Sequence, residues 1–349
     1  MDIEALHIQR GLEESVEAAR ARGSAPGAAE ESFDDLGALL AGFEALDATE
    51  AKRHLVIARR AGGFVKEFPA GPGIRPNGWR YFVPAIGCPA DCRYCFLQTY
   101  HPAGAPIVFA EREALFGEIR DAAERLGGGY FYGGELCDDF LLEDVAGIAR
   151  PLVELFGGLH GAKLELRTKG AGVSSLGEAP RSGNVIISWT FTPSVTAERL
   201  EKGTASLAER IGAARLAQEA GYVVGVRMDP IVLCEGWEAA YAEMVGQMAS
   251  QLDSARIESA HLGCLRFTGG LKAAVNARFG GEESFAGEFA KSPDGKYRYL
   301  RPVRAAAYAA IAGMVRRWSR DIPVRLCMET EAVEADFRRF SEDFRENGG

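Results

Sequence analysis

No run of the 349-residue chain approaches the roughly 18 apolar residues that a membrane-spanning helix needs. The start, Met1-Asp2-Ile3-Glu4, is acidic and no apolar stretch follows it, so the sequence predicts no signal peptide. Cysteines number only 7, too few for a disulfide scaffold. No repeat of fixed period is present, which excludes solenoids and propellers. Apolar residues make up 47%, so the chain is not the polar, aromatic-poor kind that stays disordered. What remains is a globular protein of one or two domains. Its expected compartment is the cytoplasm, where cysteines stay reduced and more often bind metal or react than pair.

The net charge is −9, and an acidic total counts at first against a nucleic-acid partner. Its distribution alters that. The first fifty residues hold 12 Asp/Glu and 3 Lys/Arg, whereas residues 51–349 hold 37 of each sign. Residues 1–60 therefore read as an acidic N-terminal extension, partly helical or flexible. Residues 22–32 (RGSAPGAAEES) resemble a linker. Leu36, Leu39, Leu40 and Phe43 then mark a short amphipathic helix.

From about residue 80 strands and helices alternate. The expected strands are Arg80–Ile86, Gly129–Tyr132, Ala162–Thr168, Asn184–Thr192, Tyr222–Met228, Ile257–Cys264 and Pro323–Cys327. Several are short and rich in Val, Ile or aromatics, as buried strands are. Between them, apolar residues recur at helical spacing, as in Tyr241, Met244, Val245, Met248 and Leu252. Ser206 and Glu209 form an expected capping box and Gly221 an expected C-cap. This alternation predicts an α/β fold with a parallel sheet, open or closed partway into a (β/α)6-type barrel. In such folds chemistry gathers at the C-terminal ends of the strands.

The densest chemical signal is Cys88-Pro-Ala-Asp-Cys92-Arg-Tyr-Cys95, directly after the first expected strand of that series. Thiolates at this spacing can wrap a compact metal centre. A structural zinc closes its shell with four ligands, usually as two Cys pairs or with His. No second pair exists here, and neither His101 nor Cys137 sits in a motif that marks it as a fourth ligand. A [4Fe-4S] cube, three irons held by cysteine and the fourth open, accounts better for the triad.

Cys-x3-Cys-x2-Cys with an aromatic before the last Cys resembles the radical S-adenosylmethionine (radical SAM) enzymes. The run Cys95-Phe96-Leu97-Gln98-Thr99 narrows the resemblance to the spore photoproduct lyase-like family. Arg167-Thr168-Lys169, Glu201-Lys-Gly203-Thr204, Arg210-Ile211, Ala220-Gly221-Tyr222, Pro230-Ile231, Glu235-Gly236-Trp237 and Arg266-Phe267-Thr268 follow in the family's order. The resemblance implies a radical SAM partial barrel over 80–270 and a C-terminal region, 271–349, completing the fold. It also implies that Cys88, Cys92 and Cys95 hold the cluster, whose open iron chelates S-adenosylmethionine. Reductive cleavage then yields a 5′-deoxyadenosyl radical that takes a hydrogen atom from the substrate, the cofactor carrying the difficult step.

By the same resemblance, Gly133-Gly134-Glu135 meets the methionine amino group and Lys169 the methionine carboxylate. Thr190 and Tyr94 lie near the same cofactor, and in the lyases the tyrosine matching Tyr94 belongs to a radical relay. A lyase cysteine near Cys137 returns a hydrogen atom to the product radical. Two positions depart from that pattern. Matching Asp139 to the lyase aspartate puts Leu136 at the donor position and Cys137 one residue later. Phe96 stands where the lyases carry tyrosine. The implied substrate is a thymine photoproduct in DNA, and the implied electron source a reductant such as flavodoxin or ferredoxin. The departures keep open radical chemistry on RNA, a peptide or a small metabolite; a non-enzymatic zinc-binding or nucleic-acid-binding module is a separate alternative. Lys291 to Arg304 carries five Lys/Arg with interleaved tyrosines, a composition suited to phosphates and bases or to a solvated loop.

Overall fold

The computed structural model describes residues 2–68, 78–178, 180 and 183–346, with the side chains of 342–346 apart. Two compact units emerge among these residues. The first comprises 2–68, 78–91 and 97–186, the second 92–96 and 187–346. No helix among the described residues is long and apolar enough to cross a membrane.

In the first unit the strands are β1 (Ala5–Gln9), β2 (Ala29–Phe33), β3 (His54–Ala58), β4 (Val65–Glu67), β5 (Trp79–Phe82) and β6 (Ala85–Ile86). After the short β7 (Asp91–Cys92) come β8 (Ile107–Phe109), β9 (Gly129–Tyr132) and β10 (Ala162–Thr168). One sheet runs β2-β1-β3-β8-β6, parallel except for β6. Four further strands run β10-β9-β5-β4, parallel except for β4. Helix Arg112–Leu126 buries Leu115, Phe116 and Ile119 between β8 and β9, and helix Ala149–Gly157 buries Leu152, Val153 and Phe156 before β10. The second lies in the crossover between the parallel neighbours β9 and β10, and the first in the longer connection between the parallel neighbours β5 and β9.

The expectation that residues 1–60 form an extension needs correction. They supply three of the five strands of a sheet, with Leu6, Ile8, Leu55, Val56 and Ile57 buried. The stretch read as a linker, 22–32, holds the end of helix Val16–Ser24 and most of β2. The acidic residues mislead because β2 is an edge strand, exposed along nearly its whole length. Charged edges of this kind also block unwanted pairing. The short helix expected nearby is present as Leu36–Phe43, capped by Asp35.

In the second unit β11 (Val185–Thr190) is followed by β12 (Glu201–Lys202), β13 (Val223–Ile231), β14 (Ile257–Cys264), β15 (Arg266–Phe267), β16 (Phe289–Lys291), β17 (Tyr297–Tyr299) and β18 (Val324–Leu326). β18, β14, β13 and β11 lie side by side, β13, β14 and β18 being parallel. Helices Leu207–Glu219 and Trp237–Gln251 link β12 to β13 and β13 to β14. The capping box forms as expected: Glu209 N–H donates to Ser206 Oγ at 3.3 Å and Ser206 N–H to Glu209 Oε2 at 2.7 Å. Gly221, at φ +95°, follows the helix end in the left-handed region that glycine enters at no cost.

The Lys291 to Arg304 segment folds as a small hairpin and the start of helix Arg301–Trp318. Two of its arginines are not available to phosphate. Arg298 is buried against Asp294 at 2.7 and 2.8 Å. Arg304 is buried against Glu329 at 2.8 and 3.2 Å, with Tyr308 donating to the same carboxylate. Arg301 reaches Asp336 at 2.7 Å. The segment's basic charge is thus largely spent on internal ion pairs.

Candidate active site

The first unit brings Cys88, Gly133, Gly134, Glu135, Cys137 and Lys169 to the C-terminal ends of β6, β9 and β10, where α/β folds place ligands. The loop after β9 is tied on both sides. Gly87 N–H donates to the Leu136 carbonyl at 3.0 Å and Gly133 N–H to that of Glu165 at 2.9 Å. Only glycine fits at 133 and 134. A Cβ on Gly133 would lie 2.4 Å from the Asp139 carboxylate, and Gly134 has φ +67° with Arg167 3.0 Å away.

Two consecutive aspartates, Asp138, which the sequence did not mark, and Asp139, fix this loop against the end of β10. Asp138 Oδ2 accepts the Lys169 N–H at 2.6 Å, while its Oδ1 accepts the Thr168 hydroxyl at 2.7 Å. The same Oδ1 accepts the N–H groups of Phe140 and Leu141 at 3.0 and 3.1 Å, closing a tight turn. Asp139 Oδ2 accepts the Arg167 N–H at 2.6 Å. Desolvation, only partly offset by Arg167, pushes the Asp139 carboxyl up to about 8. The Arg167 guanidinium donates to the Gly133 carbonyl and to Glu135, each at 3.0 Å, and lies over the Tyr132 ring. Glu135 and the Gly133 carbonyl, the expected acceptors for an amino group, therefore already face a cation.

Cys88 is half-buried in the loop that follows β6. Lys52 Nζ donates to the carbonyls of Cys88 and Ala90 at 2.6 and 2.9 Å. This ammonium places positive charge beside the thiol. A thiol hydrogen bond between Cys137 and Cys88 lowers the Cys88 pKa and raises that of Cys137 well above the ordinary thiol range. A small cavity is lined by Cys137, Glu135, Asp139, Phe82 and Ile148. Leu136, at the donor position of the family pattern, is buried, whereas Cys137 is partly open. His101 spends Nε2 on the Ala105 carbonyl at 2.8 Å.

In the second unit, Cys92, Tyr94 and Cys95 share a turn in which Cys95 N–H donates to the Cys92 carbonyl at 3.1 Å. Tyr94 is buried and donates its hydroxyl to Glu201. Burial is the larger cause, and the Glu201 charge the second, of a phenol pKa held well above its usual value. Thr190 closes β11, and its carbonyl accepts Arg210 at 2.8 Å. Glu201 and Arg210, wholly buried, pair at 2.6 Å. Phe96, 45% exposed, has no hydroxyl to join this network. Farther along, Asp229 after Met228 grips Arg266 at 2.8 and 3.0 Å.

The donor set fits a cluster. Cys88, Cys92 and Cys95 are in no disulfide, and the Lys52 ammonium sits beside the first. Among the described residues no three His, Cys, Asp or Glu side chains lie close enough together to hold a single metal ion.

Comparison with known proteins follows the same line. The spore photoproduct lyase family model matches residues 49–297. The spore photoproduct lyase of Geobacillus sp. (strain Y412MC61) is 26% identical over 210 residues, 57% of this chain and 60% of that protein. That of Bacillus subtilis (strain 168) is 29% identical over 186 residues, 49% of this chain and 52% of that protein. The chain thus matches a little over half the length of these relatives. Among solved structures, a spore photoproduct lyase variant with dinucleoside spore photoproduct superposes with TM-score 0.80 at 19% identity, covering 93% of this chain and 99% of that one. Another, with bound AdoMet and dinucleoside spore photoproduct, gives 0.78 at 18% identity, covering 92% and 98%. The fold is shared over nearly the whole chain.

Proposed function

Since the chain belongs to the spore photoproduct lyase family, we propose that it is a radical SAM enzyme repairing a thymine photoproduct in DNA. The observation that carries this reading is the family match over the region holding Cys88, Cys92 and Cys95, the Gly133-Gly134-Glu135 loop and Lys169. The ligands of the similar structures, AdoMet and a dinucleoside spore photoproduct, support the same reaction class.

In this reading Cys88, Cys92 and Cys95 hold a [4Fe-4S] cluster. When bound, the reduced cluster and S-adenosylmethionine supply a radical able to abstract hydrogen from carbon. The chain's own residues bind and orient. Glu135 and the Gly133 carbonyl take the methionine amino group, sharing it with or exchanging it for Arg167. Lys169, its backbone held by Asp138, takes the carboxylate. Tyr94 and Thr190 flank the cofactor, and Cys137 is assigned the return of a hydrogen atom to the product. A lesion displaced from the base stack reaches such a site. The electron comes from a reductant such as flavodoxin or ferredoxin, in a compartment that keeps these thiols reduced, the cytoplasm.

The absent hydroxyl at Phe96 and the buried Leu136 at the donor position favour a second reading, the same chemistry on RNA, a peptide or a small metabolite. One experiment separates the two. Anaerobically reconstituted protein is incubated with dithionite, S-adenosylmethionine and DNA carrying spore photoproduct. Loss of the photoproduct with recovery of thymine supports repair. Intact lesions beside steady 5′-deoxyadenosine formation support the second reading.

A further inference from the structure

Glu201 is the point at which four segments of the second unit meet. It opens β12, and its side chain is wholly buried. Tyr94 of the cysteine turn and Thr192, just past β11, both donate hydroxyls to its Oε1. Arg210, on helix Leu207–Glu219, donates to its Oε2 at 2.6 Å. The same guanidinium donates to the Thr190 carbonyl at 2.8 Å and to the Thr204 hydroxyl at 2.7 Å.

The backbone repeats the connection. Arg93 N–H donates to the Leu200 carbonyl at 2.8 Å. The Arg93 side chain is in turn held by Glu282 at 2.9 Å and lies over the Phe279 ring at 4.8 Å. A buried ion pair of this kind is poor value as packing, since apolar residues of equal volume would stabilise as well or better. A charged acceptor does what an apolar group cannot: it fixes the direction of each hydroxyl and carbonyl that meets it.

We propose that Glu201 is the positioning residue of the cluster-binding turn. Through Tyr94 it holds the turn that carries Cys92 and Cys95. Through Arg210 it holds the Thr190 carbonyl, so that the turn and the end of β11 keep one fixed spacing. This assignment rests on the radical SAM reading above. It makes Glu201 an outer support of the metal centre, the kind of partner that orients ligands without touching the metal.

The test compares wild type, Glu201→Gln and Tyr94→Phe after anaerobic reconstitution. Two quantities are read: iron release to a chelator, and the electron paramagnetic resonance signal of the reduced cluster with and without S-adenosylmethionine. Glu201→Gln is expected to release iron roughly tenfold faster, the usual cost of losing an outer-shell partner, and to broaden the cofactor-induced change in the signal. Tyr94→Phe, which keeps the Glu201–Arg210 pair, is expected to fall between it and wild type. Wild-type release rates and unaltered signals in both variants overturn the proposal. If Glu201→Gln does not fold, Tyr94→Phe decides alone, and a wild-type rate there overturns it. Wild type that assembles no four-iron cluster overturns the radical SAM reading first and this proposal with it.

Discussion

Arg167 and Asp139 hold each other by backbone and side chain together. Asp139 Oδ2 accepts the Arg167 N–H at 2.6 Å, and the Arg167 carbonyl accepts the Asp139 N–H at 3.2 Å. This link sets the Gly133-Gly134-Glu135 loop against the end of β10, one residue from Thr168 and two from Lys169. Asp139→Ala removes the acceptor and leaves the Arg167 N–H without it. A lost buried partner costs about 1–3 kcal/mol, so affinity for S-adenosylmethionine should fall roughly tenfold. Titration calorimetry with the reconstituted protein checks this. Unchanged affinity would show that the loop keeps its shape without the link.

The same aspartate makes stability depend on pH in a stated direction. Asp139 rises from 3.8 to about 8 and Glu143 from 4.5 to about 7, in both cases chiefly through burial. Between the unfolded and folded values the native state binds more protons than the unfolded chain. Stability from these groups is therefore full at low pH and declines as pH rises from about 4 to about 8. Asp139→Asn, a neutral mimic of the protonated form, should gain on wild type in thermal unfolding as pH is raised from 6 to 9. A constant difference between the two across that range would contradict the assignment.

Lys52 supports the first half of the cysteine loop. Its ammonium is the donor found on the Cys88 and Ala90 carbonyls. Lys52→Met keeps the bulk of the side chain and removes the charge. Iron retention should fall by roughly tenfold, as for other outer-shell losses, while apoprotein unfolding shifts little. The iron-to-protein ratio after gel filtration in chelator measures it.

Arg304 distinguishes a structural charge from a nucleic-acid contact. It is buried on Glu329 at 2.8 and 3.2 Å. Breaking a buried pair from one side costs about 3–5 kcal/mol, so Arg304→Met should lower the urea midpoint strongly. The slope of DNA affinity against salt should not change, because no phosphate contact is lost. A stable variant with a shallower salt slope would return this residue to the DNA interface.

Much of this was legible in the chain itself, for physical reasons. β9, β10 and β14 occupy the residues expected of them: β10 sets apolar Ala162, Leu164 and Leu166 at alternate positions, and β9 (GYFY) is a short apolar run. The cysteine triad was visible because its spacing is local. The N-terminal strands were missed although His54–Ala58 (HLVIA) is such a run. The surrounding acidic charge masks it, and β2 carries the exposed pattern of an edge. Glu201 and Arg210 stand in family-order motifs, but the network around Glu201 left no local trace, since Tyr94, Thr192 and Arg210 reach it from 107, 9 and 9 residues away. Arg298 and Arg304 misled for the converse reason: charge can be counted along a sequence, but the partner that neutralises it cannot.

The most direct measurement of the central claim follows deuterium. DNA bearing spore photoproduct, labelled at the carbon from which hydrogen is taken, is incubated with reduced, reconstituted protein and S-adenosylmethionine. Radical repair predicts deuterium in the recovered 5′-deoxyadenosine and a matching yield of thymine. Unlabelled 5′-deoxyadenosine with the lesion intact, or no 5′-deoxyadenosine at all, would contradict it.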